Sequence, residues 1–189
     1  MSAESIARTV LRIFRQQKQA DEEKFGNWHG RMAEALIKPL TDAYLHWVGK
    51  LLPARSAIES FASGEDQMSW ALETAKAQAA ELAVQLNDAT TNMLENGRTY
   101  KEVFSSDRAA IIGVDQAARA EMACQVRAAQ VKKVKLKWVT MGPKPCGACK
   151  KLNGKIRNPG KAFAIVNGEP VFHPRLHPHC FCELEEVSA

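Results

Sequence analysis

The chain has 189 residues, of which 46% are apolar and 25% charged, and a formal net charge of +5. That balance excludes the disordered and fibrous classes, and at this length about 70% of the unfolded surface can be buried, in one core or in a core with a small satellite module. No run approaches the roughly eighteen apolar residues of a membrane span, and Arg8, Arg12 and Arg15 interrupt the N-terminus too often for a secretory signal peptide; the expectation is a reducing cytoplasm and no membrane partner.

From Ser5 to about Lys24, Ile6, Val10, Ile13 and Phe14 recur on one helical face, with Ser2 or Ser5 as cap. Phe25, Trp28, Met32, Leu36, Leu40, Tyr44, Trp47, Val48 and Leu51 continue the pattern as one or two helices, with Gly26, Gly30 and Pro39 expected to break or kink it. After Pro53, the run Ser63-Gly-Glu-Asp66 supplies a turn and a cap. The most regular helix follows, through Met68, Leu72, Ala75, Ala79, Leu82, Leu86 and Met93, and is stopped by Asn96-Gly97. At barely four heptads, this stripe reads as internal core rather than as a coiled coil. A further helix starts near the cap Asp107 and passes through Ile111, Val114, Ala118, Met122 and Val126.

At Val131 the period changes. Val134, Leu136, Trp138 and Thr140 alternate with Lys133, Lys135, Lys137 and Val139, the pattern of a strand with one wet face. Gly142, Pro143, Pro145, Gly147, Asn153-Gly154, Pro159-Gly160 and Asn167-Gly168 then punctuate short segments such as 162–166 and 171–173, as in small hairpins. The expected architecture is mainly α: a helical domain over residues 1–132 followed by a small β module over 133–189, an α+β chain.

Charge is unevenly spread. Residues 122–168 hold 11 basic residues and no acidic one, whereas both flanks are net negative. Such a block meets phosphates or an acidic protein face, or is a solvated surface beside thiolates. Trp138 and Phe163 are its only aromatics, too few for a platform that stacks single-stranded bases.

Four of the five cysteines fall in the last 44 residues, as Cys146-Gly-Ala-Cys149 and Cys180-Phe-Cys182, with His173, His177 and His179 ahead of the second pair. A C-x2-C turn containing glycine lets two thiolates and nearby N–H groups face one ion, and two more Cys or His ligands complete the tetrahedral shell that zinc prefers. A module of some fifty residues with few large apolar side chains also needs a staple, and structural zinc supplies folding energy outright. The candidates are Cys146 and Cys149 with two of His177, Cys180 and Cys182: either Cys180 and Cys182 share one strand face, or His177 and Cys180 form a second x2 pair around Pro178. His173 and His179 are then outer or surface groups. Two disulfides do not suit a reducing compartment, and a redox C-x2-C wants a thioredoxin-like βαβ context that the pattern lacks. Cys124, beside Met122 and Val126, reads as a buried apolar residue. No G-x-x-x-x-G-K-[ST], H-E-x-x-H or G-x-S-x-G occurs, and no small-molecule substrate is indicated.

Trp138-Val-Thr-Met-Gly-Pro-Lys-Pro-Cys146-Gly-Ala-Cys149-Lys-Lys-Leu152-Asn-Gly154-Lys155, followed by His177-Pro178-His-Cys180-Phe-Cys182, resembles the C-terminal module of the phage Mu protein F-like head morphogenesis family. Asn96-Gly97-Arg-Thr-Tyr-Lys-Glu-Val-Phe104 and Arg108-Ala109-Ala-Ile111-Ile-Gly-Val-Asp115-Gln resemble that family's helical region, so the likeness spans about residues 90–183. Asp115-Gln116 stands where the family usually has threonine-glutamate, and Gly142-Pro143 replaces its common aspartate. The resemblance implies a non-enzymatic minor virion protein that associates with the portal protein and other head proteins of a tailed phage, in the host cytoplasm during assembly, and assists genome packaging or delivery. Lys132, Lys133, Lys135, Lys137, Lys150 and Lys151 are the expected contacts to the portal or to double-stranded DNA. Two other classes compete with it: a stand-alone DNA-binding zinc module with a helical oligomerisation domain, and a zinc-supported nuclease or toxin-like effector.

Overall fold

The computed structural model describes residues 2–19, 28–51, 64–166, 168–174 and 180–188. Among these residues five helices come first: α1 (Ser2–Gln19), α2 (Trp28–Leu51), α3 (Gly64–Glu95), α4 (Tyr100–Val103) and α5 (Ser106–Lys132). Then follow β1 (Lys135–Val139), a short α6 (Gly147–Leu152), β2 (Ile156–Arg157), β3 (Ala164–Val166), β4 (Glu169–Val171) and β5 (Glu183–Val187). The chain is thus mainly helical with a small C-terminal antiparallel sheet, an α+β fold. It divides into two compact units, one of residues 1–45 and 65–117, the other of residues 46–64 and 118–189.

In the first unit, α1 buries Ile6, Val10, Ile13 and Phe14, the stripe its periodicity predicts. Gly113 of α5 lies so close to α1 that a Cβ there would stand 2.6 Å from the Ala3 carbonyl oxygen and from the Ala7 Cβ. Phe14 meets Phe104 edge-on at 5.2 Å. Arg108 stacks on Phe14 at 5.6 Å and donates to the Thr90 hydroxyl and the Val103 carbonyl. A buried polar relay runs from the Tyr44 hydroxyl to Gln78 and on to the side chain and carbonyl of Gln116, so these amides keep partners away from water.

Several local readings change. α2 continues through Gly30 and Pro39 without a break, so the expected one or two helices are one over Trp28–Leu51; Gly26 lies outside the described residues. Proline costs about 3 kcal/mol in a helix interior, but burying Met32, Leu36, Leu40 and Tyr44 gains about 1.5–3 kcal/mol for each large apolar side chain and outweighs it. Along α3 the buried face runs through Ala71, Ala75, Ala79, Leu82, Ala83 and Leu86, while Met68 is 50% exposed. α3 ends at the expected place: Gly97 has φ +80°, its N–H bonds the Leu94 carbonyl, and the Arg98 N–H bonds that of Met93, a complete Schellman motif. The cap of α5 is Ser105, whose Oγ accepts the Arg108 N–H, and not Asp107, which sits in the first turn. Between them α4 is an added turn held by a Thr99/Glu102 capping box.

In the second unit β1 is the central strand, flanked by β2 and β5, both antiparallel to it. The register sets Leu136 opposite Arg157, and Trp138 opposite Leu184. Leu136, Trp138 and Leu184 are buried with Met122, Ala129, Leu152, Phe163, Cys149, Cys180 and Cys182 in one core. β3 and β4 form a separate hairpin, as the Asn167-Gly168 turn predicts. Glu185 and Glu186 lie in β5 and pair with Lys137 and Lys132 at 3.0 and 2.7 Å.

Replacing Gly113 by Ala should lower stability by about 1–3 kcal/mol, since overpacking against backbone outweighs the gain in helix propensity. Gly49→Ala, whose new methyl meets nothing within 4 Å, should instead be neutral or stabilising by up to about 1 kcal/mol. Thermal melts of the two variants beside the parent check both signs.

Candidate metal centre

The C-x2-C turn becomes a site because Cys146 starts a helix. It caps α6 with an extended backbone (φ −66°, ψ 163°), and its sulfur accepts the Cys149 N–H at 3.4 Å. The Lys150 N–H bonds the Cys146 carbonyl, so one turn of helix carries Cys149 inward while Lys150 and Lys151 stay exposed. The following loop is pinned to the central strand: Gly154 donates to the Trp138 carbonyl at 2.8 Å, Trp138 donates to the Lys155 carbonyl at 2.9 Å, and Asn153 Oδ1 accepts the Thr140 N–H at 2.9 Å. From the other side, β5 leads Cys182 and Cys180 to the same place through its pairing with β1.

The sulfurs of Cys149, Cys180 and Cys182 all lie within 4.8 Å of one another, and all three residues are buried. Cys149 and Cys180 are 3.7 Å apart, close to the 3.8 Å or so between two sulfurs bound at about 2.3 Å to one tetrahedral ion. Cys146 stands beside this triangle, half-buried, and lines the same cleft of about 220 Å³ together with Met141, Pro143, Lys144 and Phe181. The sulfur donors suit a soft or borderline ion, and the three cysteines can hold a metal.

Burial, and then the adjoining sulfurs, hold the Cys149 thiol well above its ordinary range; burial raises Cys182 as well. Such a cluster ionises when a cation arrives, because the ion displaces the thiol protons and neutralises the charge that the dry surroundings disfavour. Cys124 lies elsewhere, buried as the sequence indicates, its thiol pushed up to about 12, first by burial and second by Glu121.

Of the five candidate ligands, the structure brings Cys149, Cys180 and Cys182 together with Cys146 next to them. His177 and His179 lie outside the described residues. His173 is half-buried with its Nδ1 2.8 Å from the Pro174 carbonyl, and among the described residues it is not part of the cysteine group. Of the six candidate contact lysines, Lys132 and Lys137 are tied to β5, whereas Lys133, Lys135, Lys150 and Lys151 are exposed and make no ion pair among the described residues. The sequence pattern did not disclose α6 and β5, the two elements that aim the cysteines. Compared with known proteins, the chain matches no family model, no curated protein and no solved structure.

Alanine at Cys149, Cys180 or Cys182 should weaken metal retention by more than about a hundredfold, beyond the effect of losing an outer-shell partner. Cys124→Ala should leave it unchanged. Competition with a chromogenic chelator reads both. The raised Cys124 value also sets a sign: the unfolded chain loses that proton near pH 9 and the folded one near 12, so stability falls as pH rises between them. In denaturant titrations across that range, Cys124→Ala should show a shallower decline than the parent.

Proposed function

We propose that the chain is a non-enzymatic minor protein of a tailed-phage head, acting at the portal vertex during assembly and genome packaging or delivery. Its cysteine cluster holds a structural zinc ion. The observation that supports this reading is that, among the described residues, those of the C-terminal module that bear the sequence resemblance form one physical unit. Trp138, Cys149, Leu152, Cys180 and Cys182 share a core against which Cys146 packs, and Gly154 and Lys155 are bonded to Trp138 through the backbone.

Cys146, Cys149, Cys180 and Cys182 supply four sulfurs, the ligand set of closed structural zinc sites. Thiolates pass charge to the ion and leave it a weak Lewis acid, and the cysteine group includes no carboxylate that could serve as a base among the described residues. When bound, the ion ties the α6 turn to the approach of β5. Lys133, Lys135, Lys150 and Lys151 then offer the positive face for an acidic portal surface or for DNA.

Mass spectrometry of proheads and virions from the phage or prophage that encodes the chain tests the assignment. The expected result is the chain at a few copies per head, together with co-sedimentation of the purified protein with portal oligomers. Reversing Lys133, Lys135, Lys150 and Lys151 to Glu should weaken that association at least tenfold. Absence from both particles, in cells that make the protein, sinks the reading.

A further inference from the structure

A second cleft lies at the β2 edge of the three-stranded sheet, and no cysteine lines it. It is open to solvent, measures about 490 Å³ and is formed by Lys135, Ile156, Arg157, Asn158 and Lys161. Three segments converge there. Lys135 starts β1, Arg157 ends β2 in register with Leu136, and the turn 158–161, closed by the Lys161 N–H on the Asn158 carbonyl with Gly160 at φ +81°, returns Lys161 to the same cleft.

The charge pattern is selective. Three cations line this cleft and no carboxylate does, and none of the three makes an ion pair among the described residues, whereas Lys132 and Lys137 nearby are neutralised by Glu186 and Glu185. Three like charges gathered without a counterion repel one another, and an anion among them removes that cost. Arg157 is already oriented, since one terminal nitrogen donates to the Ile156 carbonyl at 3.0 Å. Its remaining N–H donors form the fork that matches phosphate oxygens. The two ammonium groups and the Asn158 amide add donors on other sides. No aromatic ring lines the cleft, so nothing there stacks on a base.

We propose that Lys135, Arg157, Asn158 and Lys161 form a phosphate-binding cleft, taking either free phosphate or the phosphodiester backbone of a nucleic acid. The chemistry of the two sources is shared, and the site reads oxyanions rather than base sequence. It shares Lys135 with the face proposed above for the portal or DNA, but its test is separate, because neither portal binding nor virion content enters it.

The test uses the full chain as purified under reducing conditions, with two probes: inorganic phosphate followed by amide chemical shifts, and a short duplex DNA followed by fluorescence anisotropy. Phosphate should shift the amides of Lys135, Arg157, Asn158 and Lys161 saturably. Arg157→Ala/Lys161→Ala should weaken phosphate binding at least tenfold, while Lys76→Ala/Lys101→Ala, which removes the same charge from exposed positions of α3 and α4, should change it less than twofold. If the backbone is the ligand, duplex competes with phosphate, and the cleft variant binds duplex at least tenfold more weakly with a salt slope shallower by about two. Phosphate binding without competition by duplex supports the free anion as the source. Equal weakening in both double variants, or phosphate shifts scattered over all lysine-bearing surfaces without saturation, overturns the proposal.

Discussion

Three buried thiols converging on one point are the constraint on which the second unit depends. Among the described residues its strands run from two to five residues, too short to persist by their own ladders, and its core has ten buried members, three of them cysteines. Cys149 and Cys180 are 31 positions apart. Tying such a loop at its base restrains the unfolded chain by about 3–4 kcal/mol on the chain-entropy scale used for cross-links. That is a large share of what a small module can hold in reserve. Metal held by the cysteines would act at the point where the α6 turn and the approach to β5 meet, so one ion would fix both sides of the sheet.

The same sheet sorts the basic block that stands out in the sequence. Acidic residues from the last 21 positions return as β5 beside β1, and Lys137 meets Glu185 directly across the ladder. Exposed pairs of this kind contribute little to stability, typically under about 1 kcal/mol each. Their effect is on the surface potential: one flank of β1 is neutralised while the β2 flank keeps its cations. A count of charges along the chain shows a uniform block, but cross-strand pairing makes it two surfaces of different character.

Legibility in the sequence followed the range of the interactions. α1 and α3 were visible because Ile6, Val10, Ile13 and Phe14, or Ala75, Ala79, Leu82 and Leu86, repeat at helical spacing. The end of α3 was visible because only glycine enters the left-handed region at so little cost. β1 announced itself by a change of period. The continuation of α2 through Pro39 was not readable, since it depends on tertiary burial overriding a local breaker. β5 was hidden for a related reason: Glu-Leu-Glu-Glu-Val turns inward only Leu184, and its partner strand lies nearly fifty residues earlier. In the candidate site, two cysteine pairs at close spacing were legible as ligands for one ion. Which donors converge was not, because that is decided by the β1–β5 register and the α6 cap. The end of α5 adds a similar case: Lys133 takes φ +56° with the same pair of bonds that Gly97 makes at α3, a position where nothing in the local sequence calls for a left-handed residue.

β1 connects the two clefts of the second unit. Its Leu136 and Trp138 side chains enter the core that contains the cysteines, while Lys135, at its start, lines the basic cleft. β2, which brings Arg157 there, is aligned by the same backbone bonds from Trp138 to Gly154 and Lys155 that anchor the loop after α6. These backbone bonds fix the register that sets Arg157 opposite Leu136, next to Lys135. Two hydrogen bonds and one strand thus link the core that contains the sulfurs to the charged edge of the sheet.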